Sequence, residues 1–306
     1  MELKKIRVII VGYGNIGKHA KEAILSADDM ELAGIIRQSA NNKCPEDYHI
    51  ENYPVIDEKT DVQSLGHVDV ALICKPSRMV EEYSAHYLSK GIHTVDSFDI
   101  HSAIVDLRRN LGDIAKKNGS VAIVAAGWDP GSDSVVRALL EAAAPVGITY
   151  TNFGPGMSMG HSVVARSKTG VKDALSVTIP LGTGVHRRMV YVQLEEGAEM
   201  ETVTQAIKTD NYFRNDETHV ILVQDVKALA DKGHGVNMTR KGKSSNSDNQ
   251  LFTFDMRVNN PALTAQIMLS CARACVLQQP GAYTMIELPL IDLLPGEREN
   301  IISRLV

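Results

Sequence analysis

Residues 6–17 read IRVIIVGYGNIG, and this stretch decides the fold. A short run dominated by β-branched apolar residues marks a strand buried on both faces. The glycine turn that follows, Gly12-Tyr13-Gly14-Asn15-Ile16-Gly17, opens an amphipathic helix running to about residue 26. Strand, GxGxxG and helix in that order form the context a dinucleotide fingerprint requires. Gly12 permits the tight turn, Gly14 lets the backbone approach a pyrophosphate, and Gly17 lets helix and strand pack closely. The helix start then offers its backbone N–H groups to the phosphates.

Outward from this unit, MELAGIIR (30–37), VDVALIC (68–74), HTVD (93–96) and VAIVAAG (121–127) read as further strands. Helical patterns fall between them, over about 78–89 and 102–117, with another at 131–143. The alternation predicts an α/β protein with an N-terminal doubly wound Rossmann domain. From about residue 148 the segments TYTNF, ALSVTIP, RRMVYVQLE and QLFTFDMRV alternate in polarity. They predict a second, α+β substrate/dimerisation domain built on a mixed or antiparallel sheet. One helix is expected near 199–209 and another over 261–277, opened by Asn260-Pro261. Residues 231–249, polar and rich in Gly, Ser and Asn, read as a loop. YTMIEL and a short terminal helix are expected to return to the first domain.

The chain's 306 residues predict two domains at ~100–200 residues each. Lys and Arg number 32 against 37 Asp and Glu. The resulting net charge of −5 leaves no global basic field for nucleic acid or an anionic membrane. No apolar run approaches the ~20 residues of a membrane span. The first strand begins so near Met1 that no signal peptide is expected, which makes a cytoplasmic location the default. The four cysteines are too irregularly spaced for a disulfide framework. Cys271 and Cys275 share one face of a helix, but no CxxC or nearby His completes a site, so no metal is expected.

The end of the second strand selects the cofactor: an acid bonds a ribose diol, whereas Arg accommodates a 2′-phosphate. Arg37-Gln38-Ser39 stands there, favouring NADP(H). Ligands of an open parallel sheet bind beyond the carboxyl ends of its strands. Three polar sequences fall at such ends. Cys74-Lys75-Pro76-Ser77 is assigned to the cofactor. Asp96-Ser97-Phe98-Asp99 and Gly127-Trp128-Asp129-Pro130-Gly131 bring carboxylates toward the place of a nicotinamide. Helix N-capping is the plainer role for Asp99 and Asp129. The chain's only Trp, beside Asp129 in a Gly/Pro-rich turn, favours a site.

Six motifs carry a resemblance over nearly the whole chain and in the same order. They are GYGNIG, TVDSFDIH (94–101), AAGWDPG (125–131), FGPGMSMGHS (153–162), NNPALTAQI and GAYTMIEL. Together they resemble the meso-diaminopimelate dehydrogenase family. The resemblance implies reversible NADP-dependent oxidative deamination of the D-centre of meso-2,6-diaminopimelate in lysine biosynthesis. The products are L-2-amino-6-oxopimelate, which cyclises to tetrahydrodipicolinate, and ammonia. It also implies a homodimer. Residues 1–127 with about 288–306 would bind the dinucleotide, 128–160 and 260–287 would dimerise, and 161–259 would bind substrate.

By the same resemblance, Asp99 and Asp129 hold the reacting D-amino group, and Trp128 and Phe153 form aromatic walls. Met157, Ser158, Met159 and Gly160 receive the D-carboxylate, largely through backbone. Thr178, Arg188, His234 and Asn260 hold the distal L-centre. The chemistry suits the set. Two Asp side chains can accept hydrogen bonds from an ammonium and help remove its proton, after which the amine can expel hydride and water can hydrolyse the imine. Arg188 offers a carboxylate a bidentate fork, and Thr178, His234 and Asn260 add polar partners. Read alone, Arg188 fits a surface ion pair and His234 a loop residue.

Three departures from the family pattern stand out. Phe153 occupies a position where some relatives have Trp, and Arg37-Gln38-Ser39 replaces tandem arginines. Only residues 181–185 separate the VTIP and HRRM segments, where longer relatives carry an insertion. A more open pocket, tolerant of other D-amino acids or 2-oxo acids, is expected from that. Cys74-Lys75-Pro76 also partly resembles the catalytic-lysine motif of sugar dehydrogenases. A sugar dehydrogenase or dihydrodipicolinate reductase-like enzyme is therefore the competing enzymatic reading, and a non-catalytic NADP(H) sensor the third.

Overall fold

Strand β1 (Ile6–Val11) sits inside a seven-stranded sheet and feeds two cores with alternate residues. Its Val8 and Ile10 pack with helices α1 (Asn15–Leu25) and α7 (Asn260–Cys275) on one face. Ile9 and Val11 pack with α2 (Ser77–Leu88) and α3 (Ile104–Asn118) on the other. Burial on both faces explains why these strands read as continuous apolar runs. In the computed structural model, residues 5–38, 50, 53–229 and 233–306 are described. Ser39, assigned above to the cofactor, and Cys44 lie outside them.

The chain divides into two compact units, Met1–Val136 with Pro261–Val306, and Arg137–Asn260. In the first unit the other strands are β2 (Met30–Arg37), β3 (Val55–Asp57), β4 (Val70–Ile73), β5 (His93–Asp96), β6 (Val121–Ile123) and β14 (Gly281–Tyr283). Their order is β14-β6-β5-β4-β1-β2-β3, and every pairing is parallel. The GAYTMIEL segment thus returns to this sheet as an added edge strand. The sheet reverses its winding between β1 and β4, the crevice where doubly wound folds bind ligands.

The second unit holds two sheets. One, ordered β11-β10-β9-β8, comprises β8 (Gly156–Met157), β9 (Val171–Gly182), β10 (Val185–Leu194) and β11 (Glu217–Leu222). The other, ordered β13-β12-β7, comprises β7 (Val146–Phe153), β12 (Gly233–Ser244) and β13 (Ser247–Asn259). The β10–β11 pair is parallel and the rest antiparallel, so the first sheet is mixed. Helices α5 (Met159–Arg166) and α6 (Met200–Lys208) cover the mixed sheet around Val190, Val192, Val203, Ile207 and Phe213. Among the described residues, no helix is long and apolar enough to cross a membrane.

The expected loop at 231–249 is largely wrong: β12 occupies 233–244 and β13 begins at Ser247. Backbone pairing on both sides holds β12, with β13 on one and β7 on the other. Its polar side chains find partners at their own positions. Arg240 is buried and donates Nε (2.8 Å) and Nη2 (2.5 Å) to the Ala144 carbonyl. Its Nη1 reaches Thr149 Oγ1 at 2.9 Å. Ala144 follows the last residue of α4 (Ser132–Ala143), where a cation suits the helix dipole. Arg240→Met keeps the stem but strips the carbonyl of its donors. We expect a loss on the order of 2–3 kcal/mol, read as a lower midpoint in urea.

Candidate active site

The cofactor turn is built by backbone contact. A Cβ at Gly12 would lie 2.4 Å from the Cys74 carbonyl oxygen, so the turn after β1 presses on the end of β4. One at Gly17 would lie 2.2 Å from Gly12 O. Gly14 differs, since a Cβ there would meet nothing within 4 Å. Protein packing therefore explains Gly12 and Gly17, whereas the bare backbone at Gly14 fits the approach of a dinucleotide phosphate. Gly14 caps α1, and the first turn of that helix carries no acidic residue to repel the phosphate. Arg37, at the end of β2, lies 6.0 Å over the Tyr13 ring, which holds its guanidinium beside the glycine turn. Gln38 follows it, exposed.

Lys75 is held by two neighbouring side chains. Its Nζ pairs with Glu58 at 3.1 Å and reaches Tyr83 Oη at 3.3 Å, while Tyr83 donates to Glu58 at 2.6 Å. Ser77, assigned to the cofactor, donates its hydroxyl to Asp99 Oδ1 at 2.6 Å and accepts from Asp99 N at 3.2 Å. Asp99 is thus held by a side chain from α2, and the short 3-10 turn after it has Ile100, not Asp99, at its N-cap.

Asp96 joins the two acid-bearing loops. Its Oδ1 accepts from the amides of Phe98 and Ala125, both at 3.0 Å, and its carbonyl accepts from Ala126 N at 2.7 Å. One loop leads to Asp99 and the other to Trp128 and Asp129, and they leave the neighbouring strands β5 and β6. Asp96 is fully buried, and burial pushes its carboxyl up to about 6 against the pull of the two amides. Asp96 stands in the Asp96-Ser97-Phe98-Asp99 sequence, where nothing local marks its backbone partners. Trp128 is buried beside Asp129.

In the second unit, cross-strand register places Thr178 and Arg188 side by side. Gly156, Thr178, Arg188 and Thr218 form one row across β8, β9, β10 and β11. Arg188 donates Nη1 to Thr178 Oγ1 and Nε to Asp216 Oδ2, the latter at 2.6 Å. No motif surrounds Asp216 in the sequence. Gly154 and Gly156 thread the chain between strands. Cβ atoms there would lie 2.3 Å from Thr178 O and 2.1 Å from Gly233 O. This packing brings Phe153, Thr178 and buried His234 into one neighbourhood. Asn260 is buried at the start of α7.

Met159 and Gly160 form the first turn of α5, with Ser158 at its N-cap. Helix-start amides suit a carboxylate, as the expected backbone role requires. Ser158 Oγ lies 2.8 Å from His161 Nδ1, and the His161 ring packs edge-on against Tyr212 and Phe213. Burial, and then the Arg188 charge, lower His161 to about 3. The charged form of His161 is therefore disfavoured. His186 Nε2 accepts from Phe153 N at 2.8 Å, and burial and Arg188 lower its pKa too. Both histidines lie within quoted motifs.

The parallel sheet and its glycine turn define a Rossmann-fold oxidoreductase. Residues 6–97 match the oxidoreductase family with an NAD-binding Rossmann fold, and residues 127–185 match the diaminopimelic acid dehydrogenase C-terminal domain. The meso-diaminopimelate D-dehydrogenase of Bacteroides fragilis is 59% identical, over 99% of this chain and 100% of its own. That of Ureibacillus thermosphaericus is 33% identical over 99% and 100%. The chain belongs to the meso-diaminopimelate D-dehydrogenase family. The Corynebacterium glutamicum diaminopimelate dehydrogenase, solved with diaminopimelate, superposes with a TM-score of 0.89 at 28% identity, covering 100% of both chains. An engineered D-amino acid dehydrogenase bound to NADP⁺ gives 0.88 at 27%, over 99% of this chain and 100% of its own.

Asp96 makes stability depend on pH. Its folded value of about 6 lies above the ordinary 3.8, so its contribution is complete below about pH 4 and is lost as pH rises through 6. Asp96→Asn keeps an acceptor for both amides and cannot ionise. Its melting temperature relative to wild type should climb between pH 4 and 7, to roughly 5 °C above at the upper end. Asp96→Ala releases both loops and should lower kcat on the order of tenfold or more.

Proposed function

We propose that this protein is an NADP-dependent enzyme that oxidatively deaminates the D-centre of meso-2,6-diaminopimelate, giving L-2-amino-6-oxopimelate and ammonia, reversibly. The observation that carries the reading is the end-to-end match, at 59% identity, to a relative named for that activity. Pairing of Lys75 with Glu58 and Tyr83 argues against the sugar-dehydrogenase alternative, which needs that lysine for catalysis.

Bound NADP⁺ supplies the hydride acceptor. Asp99 and Asp129 accept hydrogen bonds from the D-ammonium and help remove its proton, so that the amine lone pair can drive the oxidation of its carbon. Ser77, which holds Asp99 Oδ1, orients that acid. The amides at the start of α5 receive the D-carboxylate, and the aromatic faces of Trp128 and Phe153 exclude water. Arg188, Thr178, His234 and Asn260 hold the L-centre. The turn of the glycine fingerprint would cradle the pyrophosphate, Cys74 to Ser77 would border the cofactor, and Arg37 with Gln38 would meet the 2′-phosphate. The two-residue turn at Thr183-Gly184 leaves this end short, in keeping with tolerance of other D-amino acids.

A cytoplasmic homodimer belongs to the same proposal. Exposed Leu139, Val146 and Ile148, on α4 and β7, support an apolar contact between copies. NADP(H) is available in the cytoplasm.

With NADP⁺ at alkaline pH, absorbance of the reduced cofactor should rise with the meso isomer and not with the LL isomer. Asp129→Asn should lower kcat by about a hundredfold or more in the same assay. Absence of turnover with the meso isomer, despite tight NADPH binding, would sink the reading.

A further inference from the structure

The distal cation does not stand alone. Asp216 Oδ2 accepts from Arg188 Nε at 2.6 Å, with the two side chains 24% and 13% exposed. The turn that carries the acid is closed by two hydrogen bonds. Asp216 N donates to Phe213 O at 3.1 Å, and Asp216 O accepts from Thr218 Oγ1 at 3.1 Å. The parallel register of Arg187 with Glu217 and Arg188 with Thr218 brings this turn alongside the arginine.

A solitary guanidinium would draw any terminal carboxylate, whatever else the ligand carried. Paired with Asp216 it has no net charge, so a ligand end bearing only a negative charge meets attraction and repulsion together. An end that carries carboxylate and ammonium on one carbon matches both poles. Arg188 uses Nε for Asp216 and one Nη1 hydrogen for Thr178. Its remaining Nη hydrogens suit a carboxylate, and the second oxygen of Asp216 is an acceptor for an ammonium. Burial and the Arg188 charge lower the pKa of both neighbouring histidines, His161 and His186, which disfavours further positive charge there.

We propose that Asp216 determines specificity: it accepts a hydrogen bond from the distal L-ammonium while it aims Arg188 at the carboxylate on the same carbon. This rests on the reading of meso-diaminopimelate as substrate.

The test compares kcat/KM for meso-diaminopimelate with that for D-2-aminopimelate, which lacks only the distal amino group, at saturating NADP⁺. Wild type should prefer the former, and Asp216→Asn should shrink that preference about tenfold or more, chiefly through the KM for meso-diaminopimelate. Asp216→Glu keeps the charge and should keep the preference. A structural role alone would slow both substrates in parallel. An unchanged ratio in the Asn variant, or equal loss in Asn and Glu, overturns the proposal. No turnover of meso-diaminopimelate by wild type overturns the underlying reading as well, so the two failures are told apart.

Discussion

One oxygen atom sealed from water, Asp96 Oδ1, holds two amides that are far apart in sequence, those of Phe98 and Ala125. The parallel sheet makes this possible by ending β5 and β6 side by side. Every acid proposed to meet the reacting amine hangs from a loop that this atom ties down. Burying a carboxylate is costly, and two backbone donors offset only part of the penalty, so the group titrates near pH 6. The protein sacrifices some stability at neutral pH and gains two loops with little freedom to separate. Strain of this kind is common where geometry matters for chemistry.

The second unit solves a different problem, that of placing a charge where water is scarce. Its means is register. Thr178 and Arg188 face each other across an antiparallel pair, and the parallel strand beside them brings Asp216 to the same guanidinium. Burial and the nearby arginine lower the pKa of His161 and His186, which disfavours their charged forms. Arg188 and Asp216 form the close ion pair of that region.

Much of the fold was legible because the first unit is punctuated by glycine and written in buried runs. Residues 6–17 alone imply strand, turn and helix, and the structure has β1, the Gly12 turn and α1 there. The region 233–244 misled because strand identity there lies in pairing with two neighbours, while composition alone suggests a loop. Of the candidate site, Arg188 and Thr178 could be suspected from their motifs. Asp96 could be seen but not interpreted, since its partners are backbone groups two and 29 residues away. Asp216 was invisible, because its role depends on a parallel register that nothing local in the sequence encodes.

The chain between β7 and β8 runs so close to its neighbours that side chains at 154 and 156 would meet backbone oxygens at 2.3 and 2.1 Å. Backbone cannot yield as a flexible side chain can. That segment is therefore closed to mutational exploration, whichever substrate is favoured. Divergence of this scaffold toward new substrates has to run through the residues that flank it, such as Phe153 before the turn and Thr178 opposite it. The glycines act as a fixed rail along which only the neighbouring side chains can be exchanged.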